Sequence, residues 1–340
     1  MNDQQRSYLV TGATGFLGRH VINAIRASDP DARLLALVRD PAADSPKQLS
    51  YLKDVELVTG SPIEPAYWEN DPRLSGLDGI YHLAAEVKHS RSDTEAMHRL
   101  NVDGTLAIVR VARAKGARVV FASSSGTVGC SKEADYAPDE DAPYREDAAR
   151  NWPYYMSKII AEREARKLAD ELGAELVIMR PPVLLGPGDH RFRSIGNVMR
   201  VLRGRLPFVI SGGMNFVDIR DAAAAMVAAM NHPSPRPIYN LPGTASSLDG
   251  FFRRVARIAG IKPSWRVLPA RVVWLLARVN EMAGKPLHIL PDPVVIEMAG
   301  HYWGISSRYA VTDLGFSTRD PDQTIADTIE WIRANTPTQA

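Results

Sequence analysis

Thr11-Gly12-Ala13-Thr14-Gly15-Phe16-Leu17-Gly18, set directly after the apolar run Tyr8-Leu9-Val10, decides how this chain is read. The run breaks into glycines and resumes as Arg19-His20-Val21-Ile22-Asn23-Ala24-Ile25, the pattern of strand, tight turn and helix. Gly12 lets the strand turn sharply, Gly15 removes a side chain where a diphosphate has to approach the backbone, and Gly18 lets the helix lie close to the strand. The first helical turn then offers unpaired N–H groups and a partial positive charge to the phosphates. Glycine turns also join strands to helices for packing alone, so the dinucleotide reading draws its weight from the residues downstream.

Arg33 to Val38 reads as a second strand, apolar throughout as a strand covered on both faces should be. The tip of this strand meets the adenosine ribose, where an acid suits a 2′-hydroxyl and an arginine suits a 2′-phosphate. Arg39 at the tip predicts NADP(H); Asp40 beside it keeps NAD(H) open. Val55–Thr59 is the third strand and Gly79–Ala85 the fourth, ending in the small residues of Leu83-Ala84-Ala85. A long helix is expected from about Asp93 to Lys115, and within it Asn101 and Gly104 mark either a local bend or an asparagine holding a water or the backbone of a site. The fifth strand, Arg118–Ala122, ends in Ser123-Ser124-Ser125, at the strand end where ligands bind in parallel sheets.

Tyr154 and Lys158 lie four residues apart on the helix opened by Trp152-Pro153, and so share one face. An ammonium one turn away favours the phenolate and would bring the tyrosine toward a working pKa. A surface pair is the plain alternative, and Tyr155 is the second choice of partner.

The 340 residues suffice for one large α/β unit with a second lobe, and 45% apolar with 24% charged residues is ordinary for a globular chain. A net charge of +2 with interleaved signs offers no basic stripe for nucleic acid. The lone Cys130 cannot form an internal disulfide, no cysteine or histidine cluster has metal-site spacing, and no apolar segment reaches bilayer length, which together predict a cytoplasmic protein without a metal. The nearest approach to a membrane segment is 267–279, with Val272-Val273-Trp274-Leu275-Leu276-Ala277 between Arg271 and Arg278. It reads as a packed helix, or else as one making peripheral membrane contact.

Taken in order, TGATGFLG, YHLAA, NVDGT, SSSGTV and YYMSK make the chain resemble, over nearly its whole length, the extended short-chain dehydrogenase/reductase family of the NAD-dependent epimerase/dehydratase type. The resemblance implies a Rossmann-type doubly wound parallel sheet (1–182 and 214–242), a smaller, mostly helical substrate lobe (183–213 and 243–316), and a C-terminal helix and tail (317–340). It implies Ser125, with Ser124 as the alternative, for the substrate oxygen, Tyr154 as acid or base, Lys158 on the nicotinamide ribose, and Asn101 as the helix-four asparagine. Gly12, Thr14, Gly15, Phe16, Leu17, Gly18, Arg39, Leu83, Ala84, Ala85, Pro181 and Val183 would join Tyr154 and Lys158 around the dinucleotide. A homodimer through the helices at 93–115 and 153–170 is likewise implied.

Nucleotide-sugar epimerases and dehydratases of the family carry an asparagine where Val183 stands here, and an apolar residue cannot supply its hydrogen bond. With Val38-Arg39-Asp40-Pro41 closing strand two, the chain looks more like the dihydroflavonol reductase and hydroxysteroid dehydrogenase branch, whose members work on a carbonyl or alcohol of a bulky, apolar substrate. Ser61-Pro62 departs from the aspartate usual beside the adenine. Phe192, Met199, Phe208, Met214, Phe251, Trp265, Trp274, Met282, Met298, Tyr302 and Trp303 supply either the core of the second lobe or a pocket lining.

Overall fold

Leu9 and Val10, neighbours in β1 (Ser7–Thr11), turn to opposite faces of one sheet and are both fully buried. That alternation is the period of two of a strand covered on each side. In this computed structural model, residues 5–42, 50–88, 94–282 and 292–336 are described, the side chains of 280–282 aside. Residues 1–4, Asp93, the Met282 side chain and 337–340 therefore lie outside the described residues.

β1 pairs with β2 (Arg33–Val38), which pairs with β3 (Glu56–Thr59), and on its other side with β4 (Gly79–His82), β5 (Arg118–Ala122) and β6 (Leu176–Arg180) in turn. After an excursion through a second body the chain returns as β10 (Ile238–Asn240) beside β6, giving the all-parallel order β10-β6-β5-β4-β1-β2-β3. The order reverses between β1 and β4, and a crevice opens there at the carboxyl ends of the strands. β4 stops at His82 rather than running to Ala85: the Leu83 N–H is shared between the Thr11 carbonyl (3.3 Å) and the Thr11 hydroxyl (3.2 Å), and the Ala84 N–H has turned to that hydroxyl at 3.2 Å.

One face of the sheet is covered by α1 (Phe16–Ser28), whose Val21, Ile22 and Ile25 pack with Val10 and Val38. The other is covered by α2 (Gly104–Lys115) and α3 (Pro153–Leu172), which bury Ile108, Val109, Ala161 and Ala165 against Leu9, Ile80 and Phe121. The long helix expected from 93 is broken. A turn of α-helix (Thr94–His98) gives way to a π-turn over Arg99–Asp103 before α2 begins. A π-turn inserts one residue into the helical ladder and re-aims its side chains, and it falls on Asn101.

The second body is built on β7 (Val183–Leu185), β8 (Phe208–Ile210), β9 (Gly213–Asp218), β11 (Thr244–Ser247) and β12 (Arg266–Leu268), paired as β11-β9-β7 and β12-β8. The bonds of β9 go to β7 and β11, so the chain re-enters the first body not at 214 but at Asp218, which caps α4 (Ile219–Asn231) by accepting from the Arg220 N–H. α4 then packs Ala222, Met226 and Met230 beside α1. In the second body α5 (Leu248–Ala259) buries Phe251, Phe252 and Val255. α6 (Ala270–Met282) and α7 (Pro293–Ala299) pack on one another through Val273, Ala277 and Ile296. The closing helix α8 (Pro321–Asn335) is no separate tail, since Ile325, Ile329 and Ile332 belong to the same core as Phe251.

Candidate active site

Gly12 has φ +69°, and a Cβ added there would lie 2.7 Å from the Ala84 nitrogen, so the turn and the neighbouring strand end together admit only glycine. A Cβ on Gly18 would stand 2.3 Å from the Gly12 carbonyl oxygen, which is why α1 can start so near the strand. Gly15 differs. Its missing side chain meets nothing nearer than the Gly12 oxygen at 3.0 Å, and as N-cap of α1 it supplies no side-chain cap. The first N–H groups of α1, around Phe16 and Leu17, are left for an anion, with Thr14 half-buried beside them. This cradle fits a diphosphate.

Arg39 follows the last paired residue of β2 and is exposed, whereas the Asp40 carboxylate is turned onto its own loop, accepting from the Ala42 N–H at 2.9 Å. Beneath the crevice runs a buried relay. Thr105 donates to the Asn101 carbonyl (2.7 Å), so its oxygen accepts from His82 Nε2 (3.1 Å). His82 Nδ1 in turn accepts from the Thr11 hydroxyl (2.8 Å). Burial pushes the imidazole pKa down to about 3, so His82 is a neutral spacer between the glycine bend and the π-turn. Asn101, fully buried, accepts from the Glu86 N–H (2.9 Å) and donates to the Glu86 carbonyl (3.0 Å) and to Ser157 Oγ (2.9 Å). Ser157 passes the chain on to the Tyr154 carbonyl at 2.7 Å. Of the two readings of Asn101, the structure has both the bend and the backbone clamp, and its amide is used on protein groups.

The three serines after β5 are separated by their partners. Ser123 donates to Glu162, and Ser124 Oγ accepts from the Gly126 N–H, capping the short turn Ser125–Thr127. The Ser125 hydroxyl makes no hydrogen bond to another described residue, while its N–H is held by the Pro181 carbonyl at 2.9 Å. Val183 stands at the start of β7 with 39% of its surface exposed.

Pro153 opens α3, and Tyr154 follows it, half-buried. The ring of Tyr155 lies against Gly126 and packs at a tilt on Trp303, their ring centres 4.9 Å apart, next to Trp152 and Met298. Tyr155 is thereby part of an aromatic wall. Lys158 is almost wholly buried. Its ammonium donates to the Ala122 carbonyl at 2.8 Å and sits over the Phe121 ring. Burial pushes its pKa down to about 8, against the pull of Glu162 one turn further on. The expected lowering of Tyr154 by this ammonium is absent: burial raises the phenol to about 12. Lys158 spends its charge on a carbonyl, and desolvation of the phenol wins.

Ser125 follows the carboxyl end of β5 and the Lys158 ammonium reaches it at the Ala122 carbonyl, with Tyr154 one turn earlier on α3 and Leu83, Ala84 and Ala85 following β4, the neighbouring strand. Sequence reading missed the fully buried pair Glu162 and Arg180, joined at 2.6 Å, which ties α3 to the end of β6. The signal was there in the spacing, four residues beyond Lys158 on the same helix face.

Comparison with known proteins gives a consistent result. The model of the NAD dependent epimerase/dehydratase family matches residues 8–241. The chain is 28% identical to the protein named "Putative dihydroflavonol 4-reductase" of Synechocystis sp., over 96% of this chain and 94% of that one. It is 26% identical to "Sterol demethylase protein B" of Methylococcus capsulatus, over 80% of each. Among solved structures, that of gox2253 superposes with a TM-score of 0.81 at 28% identity, covering 97% of this chain and 98% of the other.

Proposed function

Because the chain belongs to the NAD-dependent epimerase/dehydratase family, whose members are NAD(P)-dependent enzymes, we propose that it is an NADP(H)-dependent oxidoreductase interconverting a ketone or aldehyde and an alcohol on a bulky, fairly apolar substrate. The observation that carries this reading is the pairing of an uncommitted Ser125 hydroxyl with a neutral Tyr154 phenol, one helical turn from a buried ammonium. The dinucleotide, when bound, supplies or accepts the hydride. Ser125 donates to the substrate carbonyl oxygen and polarises it. Tyr154, held protonated at neutral pH by burial, passes its proton to that oxygen as charge develops. Lys158, still largely protonated at neutral pH and anchored on the Ala122 carbonyl, would hold the nicotinamide ribose at the end of β5.

Arg39 supports the phosphorylated coenzyme: it is the exposed cation at the β2 tip, and the neighbouring Asp40 carboxylate is occupied with its own turn. An apolar substrate is supported by exposed Val183 and by the wall of Tyr155, Trp303 and Met298. The names of two relatives, which speak of a sterol and of a dihydroflavonol, agree with that chemistry. The test is NADPH consumption with ketones of graded size and polarity. Turnover that rises with apolar bulk is the expected result, and Tyr154→Phe should lower it by about 10²–10⁴-fold. NAD retained through dialysis, with no net NADPH consumption, would favour an epimerase or dehydratase instead.

A further inference from the structure

Helix α6 is held by a narrow stripe. Val273 and Ala277 are buried against Ile210 and Ile296, while Val272, Trp274, Leu275, Leu276 and Val279 are 42–59% exposed, and Val267 just before the helix is 47% exposed. The other exposed large apolar residues among those described, such as Tyr67, Leu172 and Val311, are scattered over separate elements. Single exposed apolar residues need no explanation, but a helix that turns most of its large ones outward does. Up to Glu281 in its last turn, the charges along it are of one sign. From 262 to 279 the chain carries Lys262, Arg266, Arg271 and Arg278, all exposed, and no acid. The pairing of β12 with β8 brings Arg266 beside Pro207, next to exposed Arg203 and Arg205. The Arg278 guanidinium lies 5.8 Å from the Trp274 ring centre, an aromatic and cation together at the rim of the apolar face. On the packed helix α7, Asp292 is engaged as its N-cap and Glu297 is half-exposed.

We propose that this face docks on a lipid bilayer surface that carries anionic headgroups. Apolar side chains enter the headgroup boundary while the surrounding lysine and arginines meet the negative surface. A second copy is the poorer occupant, because a two-fold pairing of α6 would set Arg271 and Arg278 against the same arginines of the partner. The surface is also close to the site: α7 alone separates them, with Ile296 packed on α6 and Val294 and Met298 on the cluster of Trp152, Tyr155 and Trp303 next to Tyr154. Docking would present the apolar wall of the site to molecules dissolved in the bilayer. This link to substrate rests on the proposed reductase reading, whereas the docking itself does not.

The test is sedimentation of the full chain with vesicles of phosphatidylcholine alone and of phosphatidylcholine mixed with phosphatidylglycerol, with sedimentation equilibrium of the protein alone beside it. Binding to the mixed vesicles that weakens with added salt is expected. Leu275→Ser with Leu276→Ser should abolish it, and Arg271→Glu with Arg278→Glu should weaken it about tenfold or more. Both variants should keep the wild-type unfolding midpoint and the wild-type NADPH-induced rise in that midpoint. Equal binding to both vesicles, no binding to either, or a dimer that Leu275→Ser with Leu276→Ser dissolves would each overturn the proposal. Vesicle binding by a chain that reduces no ketone would leave the docking standing and sink only the reductase reading.

Discussion

Lys158 is the residue whose charge is most finely set. Burial puts its pKa at about 8, well below the 10.5 of a free lysine, so the free enzyme loses this ammonium just above neutrality. If the ammonium is what holds the coenzyme's ribose, kcat/KM for the coenzyme, which reports the free enzyme, should fall on an alkaline limb centred near 8. Lys158→Arg, charged at every accessible pH, should remove that limb even if turnover drops. Arg39 makes a separate prediction. Exchanging it for alanine removes a charge-assisted contact worth about 1.5–3 kcal/mol, so the preference for NADPH over NADH should shrink roughly tenfold or more in the ratio of KM values. At this scale the sequence was informative where function depends on spacing, as with Tyr154 and Lys158. It was mute where function depends on who else is near: that Ser123 and Ser124 are engaged and Ser125 is not follows from Glu162 and Gly126, and the raised phenol follows from burial.

The elements meet in the relay of Thr11, His82, Thr105 and Asn101, which locks β1, β4 and the π-turn to one another. His82 is kept neutral in the fold down to about pH 3, whereas in the unfolded chain it takes a proton near 6.5. Between those values the unfolded chain binds more protons, so stability falls as the pH drops through 6.5 toward 3, by up to about 1.4 kcal/mol per pH unit for each such group. Burial likewise lowers His20 and His301, which add to the same slope. Denaturant unfolding followed from about pH 7 to 5 should show this decline, and His82→Gln, which can both donate and accept, should flatten it by about one proton. The glycine bend predicts a second outcome: Gly18→Ala drives a methyl onto the Gly12 carbonyl, and should cost about 1–3 kcal/mol along with coenzyme affinity, measured by denaturation and NADPH titration. The bend was legible because glycines at fixed offsets after an apolar run have one geometry. The π-turn was legible only as an anomaly, because asparagine and glycine in a helix announce a disturbance without saying which. The pairing of β9 with β7 and β11 was not legible, because an apolar strand fits either sheet and only its hydrogen bonds decide.

For the molecule as a whole, α8 and the return point of the chain form a clasp: Arg220 bridges Asp218 and Asp327 at 2.6 Å each, and Thr324 donates to Asp218. The clasp sits where the second body rejoins the first, with Asp218 paired to Leu185 at the end of β7 opposite Val183. Coenzyme bound only by the folded state should raise stability by about 2.7 kcal/mol at a concentration one hundred times its Kd, so NADPH should lift the unfolding midpoint more than the same concentration of NADH. The interleaved order of the sheet also bears on synthesis. β6 is finished by residue 180, yet the strand that covers its edge is not made until residue 240. During ribosomal elongation five parallel strands and an open sixth must wait while the second body is threaded out. A nascent chain halted in that interval, or a gene fragment ending near 182, offers an unpaired ladder to its neighbours and is the form of this protein most prone to aggregate.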